Sequence, residues 1–325
     1  MSSHRIQFQQ TGGPEVLEYV AVDRPSPGAD EVVIENHAIG LNFIDIYFRS
    51  GLYPTALPSG LGTEGAGLVV AVGDNVTDFA EGDRVAYAQG PLGAYATHVA
   101  LPARSVIALP AAIDFETAAA GMLKGLTVQY LLRQTYAVGE DDTILFHAAA
   151  GGVGSIACQW ARALGAHVIG TVSSSEKADI ARKNGAWQLI DYTQESVPER
   201  VMDLTHGAGV PVVYDSVGRD TWADSLKCLQ KRGLMVSFGN ASGPVEGINL
   251  VELNRGGSLF VTRPSLGGYA DTRPRFEMMC ADLFAVLESG DVRVPIGQRF
   301  DLADAGDAQT ALAKRRTTGS TILLP

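Results

Sequence analysis

The sequence has 325 residues, a length typical of a two-domain protein. Hydrophobic residues make up 46% of it and charged residues 19%, the proportions of a soluble globular protein. With 25 basic and 36 acidic residues the formal net charge at pH 7 is −11, which argues against nucleic acid and anionic membranes as partners.

The first part of the chain, to about Ile113, predicts a β-rich domain. Short apolar or alternating runs recur between Pro, Gly and Asp residues, a pattern typical of a barrel or sandwich. These runs are residues 5–9, 17–22, 31–39, 67–72, 84–88, 96–101 and 105–109. One helix is predicted to begin near Phe115, and a second to cover about residues 127–136.

The stretch from Asp142 to Lys177 organises the second part of the chain. It contains, in order, a buried strand at 143–146, the turn Ala149-Ala150-Gly151-Gly152-Val153-Gly154, a helix at 155–164 and a strand at 167–172. In such a turn Gly151 lets the backbone approach a pyrophosphate, and Gly154 lets the helix pack closely on the strand. The first N–H groups of the helix, at Gly152 and Val153, then face the phosphates. A flavodoxin-like turn that binds no ligand is the alternative.

The end of the second strand indicates which dinucleotide is bound. An NAD site usually places Asp or Glu about 20 residues after the turn, where the carboxylate binds the ribose 2′-OH. Here the strand ends at Ser173 without an acid, and Lys177 follows as a partner for a 2′-phosphate. Glu176 lies past the strand end, where it opens the next helix. We therefore predict NADPH as the cofactor.

Strands and helices continue to alternate as far as about Pro264. The further predicted strands are residues 188–191, 210–216, 234–239 and 258–263, with helices at 176–184, 196–205 and 221–229. This order predicts a doubly wound parallel sheet whose ligand lies across the carboxyl ends of the strands. One more helix, at 274–289, and a tail of short strands are expected to rejoin the first domain.

Several motifs resemble one protein superfamily over nearly the whole chain. Gly60-Leu61-Gly62-Thr63-Glu64-Gly65-Ala66-Gly67, followed by Gly82-Asp83-Arg84-Val85, resembles the signature of medium-chain dehydrogenases/reductases. HAAAGGVGS at 147–155, YDSVG at 214–218 and FGNASGP at 238–244 resemble the zinc-free NADPH:quinone oxidoreductase branch, the relatives of zeta-crystallin. The resemblance implies an α/β fold. A GroES-like β-rich catalytic domain (1–125 and 264–325) is interrupted by a Rossmann domain (126–263).

The resemblance also bears on zinc. Zinc-dependent alcohol dehydrogenases of this superfamily use a Cys and a His at places that match Asn42 and Thr63, neither of which is a usual zinc ligand. The loop with four closely spaced cysteines is absent, and the six histidines have no metal-binding spacing. We predict no metal. His147, at the end of the first Rossmann strand, is expected to order the turn rather than to catalyse.

Quinone reduction needs a hydride and stabilisation of the carbonyl oxygen as it becomes negative. A quinol anion is a weaker base than an alkoxide, so neutral donors can suffice without a Lewis acid. The family resemblance points to Asn42 and Tyr47 as those donors. The alternative is a buried polar pair that holds the backbone of the first domain. Asp45 and Arg49, between and beside them, are expected to form a structural ion pair or to stay solvated.

Matches to the family motifs imply further cofactor contacts. Thr127 is expected to approach the nicotinamide amide, and Tyr192 to pack on the adenosine or reach its phosphate. Three residues follow the fourth and fifth strands, where a ligand is expected in this fold: Ser216, Phe238 and Asn240. Arg316 either reaches back to the cofactor or is a solvated arginine on a basic turn.

The main prediction is thus an NADPH-dependent quinone oxidoreductase. Reduction of an enone or alkenal double bond is the alternative within the same chemistry. RNA binding or a structural, crystallin-like role is the alternative from another class, against which the negative charge and the intact nucleotide turn argue.

Assembly and location are predicted from other features. The sixth Rossmann strand is apolar at Leu259, Phe260 and Val261, which predicts a homodimer formed along the sheet edge. A cytoplasmic protein is predicted, because the N-terminal residues lack a signal-peptide pattern and three widely spaced cysteines suit a reducing compartment.

Overall fold

A computed structural model describes residues 3–325 of the chain. The chain folds into two compact units. The first comprises the residues up to Leu126 together with Ala270–Glu288 and Val294–Pro325, and the second comprises Thr127–Tyr269 with Ser289–Arg293. The domain limits at 125/126 and 263/264 stay a prediction.

Most of the strands of the first unit follow one another directly, whereas strands and helices alternate in the second unit. The strands are β1 (Ser3–Phe8), β2 (Glu18–Val22), β3 (Glu31–Leu41), β4 (Ser59–Gly60), β5 (Gly65–Val72), β6 (Arg84–Tyr87), β7 (His98–Pro102), β8 (Val106–Ala108), β9 (Thr143–Phe146), β10 (His167–Val172), β11 (Gln188–Asp191), β12 (Val210–Asp215), β13 (Leu229–Ser237), β14 (Phe260–Thr262), β15 (Ile296–Asp301) and β16 (Ser320–Leu324). The α-helices are α1 (Phe43–Ser50), α2 (Phe115–Tyr130), α3 (Gly152–Ala163), α4 (Ser175–Lys183), α5 (Val197–Leu204), α6 (Trp222–Lys227), α7 (Leu250–Arg255), α8 (Leu266–Tyr269), α9 (Arg273–Glu288) and α10 (Ala305–Ala313). Short 3₁₀ turns lie at Pro14–Val16, Ala103–Ser105 and Leu302–Asp304, and a π-helical turn at Leu131–Thr135.

The first unit is β-rich, as predicted. Its main sheet has the strand order β15-β16-β3-β5-β6-β8, and β7 also pairs with β3. The 11-residue β3 pairs antiparallel with β5, β7 and β16, so it is the strand on which this sheet is assembled. A smaller sheet, β2-β1-β4, completes the unit.

The second unit contains one six-stranded parallel sheet with the order β11-β10-β9-β12-β13-β14. The chain starts in the middle at β9, runs outward through β10 and β11, and returns to continue with β12. This is the doubly wound arrangement of a Rossmann domain, so the predicted fold class is confirmed. The predicted strands β9, β10 and β11 have the same limits in the structure.

One predicted element is wrong. The second helix predicted at 127–136 does not exist as a separate element, because α2 runs without a break from Phe115 to Tyr130 and then widens into the π-helical turn. The Tyr214 hydroxyl donates a hydrogen bond of 2.9 Å to the Leu131 carbonyl oxygen at the start of that turn. Sequence patterns did not identify α1, α7, α8 or α10, which are four to nine residues long.

Between residues 3 and 325, no helix combines the length and apolarity that crossing a membrane would require.

Candidate active site

The glycine-rich turn of the second unit joins β9 to α3. Gly151 precedes the helix with an extended backbone (φ −78°, ψ 173°), and the helix begins at Gly152. The N–H groups of the first helical turn, Gly152, Val153 and Gly154, have no acceptor within the helix and are available to an anion. A side chain at Gly154 would overlap the backbone of Ala148 and Ala149, so only glycine allows the helix to approach the strand.

The turn carries polar groups suited to a dinucleotide. A Cβ atom at Gly151 would lie 3.2 Å from the Ala148 carbonyl oxygen, so a side chain there would crowd the turn. The hydroxyl of Ser155 in the first turn of α3 is buried and has no hydrogen-bond partner within residues 3–325. A helix N-terminus with unpaired donors suits a pyrophosphate.

The predicted residues of the 2′-phosphate site come together beside this turn. Lys177 Nζ donates to Ser173 Oγ at 3.4 Å, and the Lys177 backbone N–H donates to Ser174 Oγ, which caps α4. Tyr192 follows the neighbouring strand, and its backbone N–H donates to the Val172 carbonyl oxygen at 3.1 Å. The carboxyl end of β10 therefore carries a lysine and hydroxyls, and the 43% exposed Tyr192 follows the neighbouring β11.

The other predicted cofactor residues lie on the opposite side of the turn, beyond β9. Ser216 directly follows β12 and Phe238 directly follows β13. The Phe238 N–H donates to the Asp215 carbonyl oxygen at 2.8 Å. Asn240 begins the following loop, whose Ala241 N–H donates to the Ser216 carbonyl oxygen. Parallel pairing of β12 with β13 brings these three residues to one sheet edge.

The first unit contains a buried polar cluster around Glu64, which is fully buried. Its carboxylate accepts hydrogen bonds from Asn42 Nδ2 (2.7 Å), from the Leu123 backbone N–H (2.6 Å) and from Lys124 Nζ (3.3 Å). Asn42 and Lys124 are also buried. The carboxylate fixes which end of the Asn42 amide faces it, because only the nitrogen of that amide can donate.

Gly40 explains how Glu64 fits beneath β3. A Cβ atom at Gly40 would overlap both the Glu64 carboxylate and the Ala119 carbonyl oxygen. The Gly40 N–H also donates to the Glu64 carbonyl oxygen at 3.1 Å. Glycine at this position thus leaves the space that the buried carboxylate occupies.

The prediction for Asp45 and Arg49 is wrong. Both side chains are buried, at 0% and 5% exposure, and no ion pair joins them in the described residues 3–325. Asp45 Oδ2 instead accepts the Asn42 backbone N–H (2.8 Å) and the Tyr95 hydroxyl (2.9 Å), so the carboxyl caps α1. Burial lowers the pKa of the Arg49 guanidinium, an effect that Glu15 opposes.

Tyr47 lies on α1, five residues after Asn42, and its ring packs among other aromatic rings. Its ring meets that of Tyr53 edge-on at 5.3 Å, and Tyr53 packs on Phe48 at 5.7 Å. The Tyr53 N–H donates to the Tyr47 carbonyl oxygen at 3.0 Å, which ties the loop to the helix. Asn42 and Tyr47 thus belong to one short helical segment.

Thr127 and Arg316 lie on other segments of the chain. Thr127 is half-buried on α2 and belongs to the second unit. Arg316 is exposed on the turn after α10, where its N–H donates to the Ala311 carbonyl oxygen. Their cofactor contacts stay predictions.

At the two positions where zinc-dependent relatives have metal ligands, this chain has Asn42 and Thr63. Asn42 is a neutral amide that donates one hydrogen bond to Glu64, and Thr63 offers only a hydroxyl. Across the described chain, residues 3–325, no three His, Cys, Asp or Glu side chains are grouped in a way that could hold a metal ion. The residues present therefore do not fit the zinc of the alcohol dehydrogenases.

All three cysteines, Cys158, Cys228 and Cys280, are buried and form no disulfide. Burial raises the pKa of each thiol to about 12.

Sequence reasoning missed the polar residues that support the site. Glu64 and Lys124 are charged residues within apolar or glycine-rich runs, which is a usable signal for a buried pair. Thr171, Asp215 and Ser225 are buried polar residues of the second unit. The sequence gives no signal for their burial, because a hydroxyl or a carboxylate at the end of a strand is common on any surface.

Known proteins with similar sequences define the class. A model of the alcohol dehydrogenase GroES-like domain matches residues 28–111, and a zinc-binding dehydrogenase model matches residues 152–276. This pairing of domains is that of the medium-chain dehydrogenases/reductases.

Individual relatives match the whole chain. A quinone oxidoreductase of Pseudomonas aeruginosa is 63% identical over 322 residues, 99% of each chain. The crystal structure of Escherichia coli quinone oxidoreductase complexed with NADPH has a TM-score of 0.98 and 55% identity, covering 99% of this chain and 100% of that one. A 2-haloacrylate reductase of a Burkholderia species is 43% identical over 325 residues, 98% of both chains. The chain belongs to the quinone oxidoreductase family, which confirms the resemblance seen in its motifs.

The buried carboxyl of Asp45 predicts a pH dependence of stability. Burial raises its pKa from an ordinary 3.8 to about 7, against the lowering effect of the hydrogen bonds from Asn42 and Tyr95. Because the folded pKa is the higher one, the folded protein binds more protons between about pH 4 and pH 7. The stability that this group contributes is complete below about pH 4 and is lost as the pH rises to 7.

Asp45→Asn removes this titration while it keeps the shape of the side chain. We expect the free energy of unfolding of the unmodified protein, relative to the variant, to fall by about 1.4 kcal/mol per pH unit from pH 5 to pH 7 and to level off above. Urea unfolding at pH 5, 6, 7 and 8 measures this difference. Parallel curves for the two proteins would contradict the raised pKa.

Proposed function

We propose that the protein is an NADPH-dependent quinone oxidoreductase. The observation that carries the proposal is the carboxyl end of β10, where Ser173 and Lys177 stand in the place of the acid of an NAD site. The family membership and the NADPH complex of the Escherichia coli relative support the same cofactor.

In the proposed site, one set of residues binds the cofactor and another set binds the substrate carbonyl. When bound, NADPH would supply the hydride. The N–H groups of Gly152 and Val153 bind the pyrophosphate, and Lys177 binds the 2′-phosphate. Ser216, Phe238 and Asn240 line the nicotinamide side of the sheet edge. Thr127, Tyr192 and Arg316 are the further contacts that the family motifs suggest.

Asn42 and Tyr47 are the proposed donors to the acceptor carbonyl. Asn42 uses one N–H in its bond to Glu64, and an amide nitrogen carries two, so one remains for the substrate. Neutral donors suffice because a quinol anion needs less stabilisation than an alkoxide. We propose that the reaction is independent of zinc, since an amide and a hydroxyl replace the metal ligands at residues 42 and 63.

A second function is favoured by one relative. The name of the 2-haloacrylate reductase describes reduction of an activated carbon–carbon double bond. Hydride addition to an enone also leaves negative charge on a carbonyl oxygen, which the same two donors would stabilise.

A substrate panel monitored by NADPH absorbance tests the function. We expect rapid oxidation of NADPH with benzoquinone and naphthoquinone, unchanged after dialysis against a strong chelator. Product analysis separates quinol formation from saturation of an enone. A requirement for one tightly bound zinc ion per chain would refute the zinc-independent mechanism.

Lys177→Ala tests the choice of cofactor. The variant should raise KM for NADPH by about 10- to 100-fold, since a charge-assisted hydrogen bond contributes about 1.5–3 kcal/mol. KM for NADH should change little, because NADH lacks the 2′-phosphate. Lys183→Ala, at the exposed far end of the same helix, is the matched control. Equal losses with both cofactors would argue against the assignment.

Asn42→Ala and Tyr47→Phe test the donors. Loss of one donor to a developing oxyanion costs up to about 10²–10³-fold, and a quinol anion places the expected loss in kcat/KM near the lower end. Affinity for NADPH should change much less. Tyr19→Phe, an exposed tyrosine of the first unit, is the control. If both variants turn over quinones normally, the pair has the structural role instead.

We also propose a homodimer along the edge of the parallel sheet. β14 is the last strand in the sheet order, and Phe260 and Val261 are 61% and 38% exposed. Ile248, Leu250 and Val251 add exposed apolar surface in the same unit. Pairing with a second copy would satisfy the edge and cover these side chains.

Val261→Lys should convert the dimer to a monomer, because it places a charge on that edge. Light scattering distinguishes about 69 kDa from the 34.3 kDa chain. Trp187→Lys, which changes another exposed apolar residue (45% against 38% for Val261) beside the opposite edge strand, should leave the dimer intact. A monomeric unmodified protein at micromolar concentration would rule the dimer out. The absence of a nucleic-acid partner and the cytoplasmic location stay predictions.

A further inference from the structure

A chain of hydrogen bonds crosses the carboxyl ends of three strands beneath the glycine-rich turn. The Ala148 backbone N–H donates to Thr171 Oγ1 at 3.2 Å, and Thr171 Oγ1 lies 3.0 Å from His147 Nδ1. His147 Nε2 lies 2.9 Å from Ser225 Oγ, which donates to Asp215 Oδ2 at 2.8 Å. All four side chains are at most 2% exposed. We call this set the His147 chain.

The direction of every bond in the His147 chain follows from counting hydrogens. Asp215 only accepts, so the single hydrogen of Ser225 points to it and Ser225 must accept from His147 Nε2–H. His147 Nδ1 then carries no hydrogen and accepts from the Thr171 hydroxyl. The Thr171 oxygen is left to accept the Ala148 N–H. One tautomer of a neutral imidazole satisfies the whole chain.

The order of the groups excludes a hydrolytic role. In a nucleophilic triad the histidine stands between the serine and the carboxylate. Here Ser225 stands between His147 and Asp215, and all three are buried away from any substrate. Burial also lowers the pKa of His147, against the raising effect of Asp215 and Asp224, which favours the neutral ring.

At each end, the His147 chain accepts hydrogen bonds from backbone N–H groups next to the proposed dinucleotide site. Ala148 has a positive φ of 56°, a conformation that L-residues rarely adopt and that its hydrogen bond to Thr171 stabilises. At the other end Asp215 Oδ1 accepts the N–H groups of Val217 and Gly218, at 2.8 and 3.0 Å. The chain therefore ties the phosphate turn to the loop after β12.

We propose that His147 is a positioning residue. In its neutral Nε2–H tautomer it fixes the phosphate turn relative to the loop after β12 and so pre-organises the dinucleotide site. This inference rests on the proposed NADPH site, but the chain itself can be tested without cofactor. A pre-organised site binds its ligand more tightly, because its loops and side chains lose less conformational freedom when the ligand binds.

Thr171→Val tests the effect on binding. Valine keeps the shape but leaves the Ala148 N–H and His147 Nδ1 without their partner. We expect the Kd for NADPH, measured by its fluorescence, to rise about tenfold, with kcat at saturating NADPH within about twofold. Thr171→Ser retains the hydroxyl and should restore the affinity. A folded Thr171→Val protein that binds NADPH as tightly as the unmodified protein would overturn the positioning role.

The tautomer of His147 tests the chain in the unmodified protein. Histidine labelled with ¹⁵N should give a neutral Nε2–H ring at pH 7, assigned by its loss in His147→Gln. An Nδ1–H tautomer or an imidazolium at pH 7 would refute the chain, and this measurement decides even if Thr171→Val does not fold. Failure of the unmodified protein to bind NADPH would instead refute the proposed function and leave the tautomer result standing.

Discussion

A carboxylate in a protein interior must be met by hydrogen-bond donors, and each unit of this chain contains one that meets this condition fully. Glu64 accepts from Asn42 after β3 and from Leu123 and Lys124 on α2. Asp215 accepts two backbone N–H groups and the hydroxyls of Thr221 and Ser225. Burying either carboxylate without these partners would cost several kcal/mol. The donors therefore have fixed places, and so do the segments that carry them.

The hydrogen bonds to these buried carboxylates hold the candidate functional segments in fixed positions. The amide of Asn42 is oriented by Glu64, and α1, which carries Tyr47, begins at a cap formed by Asp45. In the parallel sheet, β9 lies between β10 and β12, so the residues proposed for opposite ends of a dinucleotide flank one turn. Polar groups that are fixed before a ligand arrives lose little freedom when it binds.

The local signals of the sequence were sufficient for the bounds of three of the six strands of the parallel sheet. Strands β9, β10 and β11 are short, apolar and bounded by turn residues, so they were predicted with their limits. The helix α1 was missed because its apolar and charged residues are spread over only eight positions. Gly121 and Gly125 lie within α2, where the absence of a side chain leaves room for Val294 and Leu283.

The partners of buried polar groups could not be predicted. Glu64 and Lys124 are 60 residues apart in the chain, and His147 and Ser225 are 78 apart. No periodicity or motif links such residues, since their contact depends on how whole elements pack. The ion pair expected between Asp45 and Arg49 failed for the same reason: spacing along a helix indicates reach, but not burial or the presence of a better partner such as Tyr95.

The burial of the three cysteines has a consequence for how long such an enzyme survives its own substrates. Quinones are electrophiles that add to thiolates, and it is the thiolate rather than the thiol that reacts. Cys158, Cys228 and Cys280 are inaccessible, and with a pKa of about 12 each remains a thiol at neutral pH. A catalyst that handles electrophilic carbonyls would thus present no nucleophilic sulfur for them to arylate, and would resist inactivation during turnover.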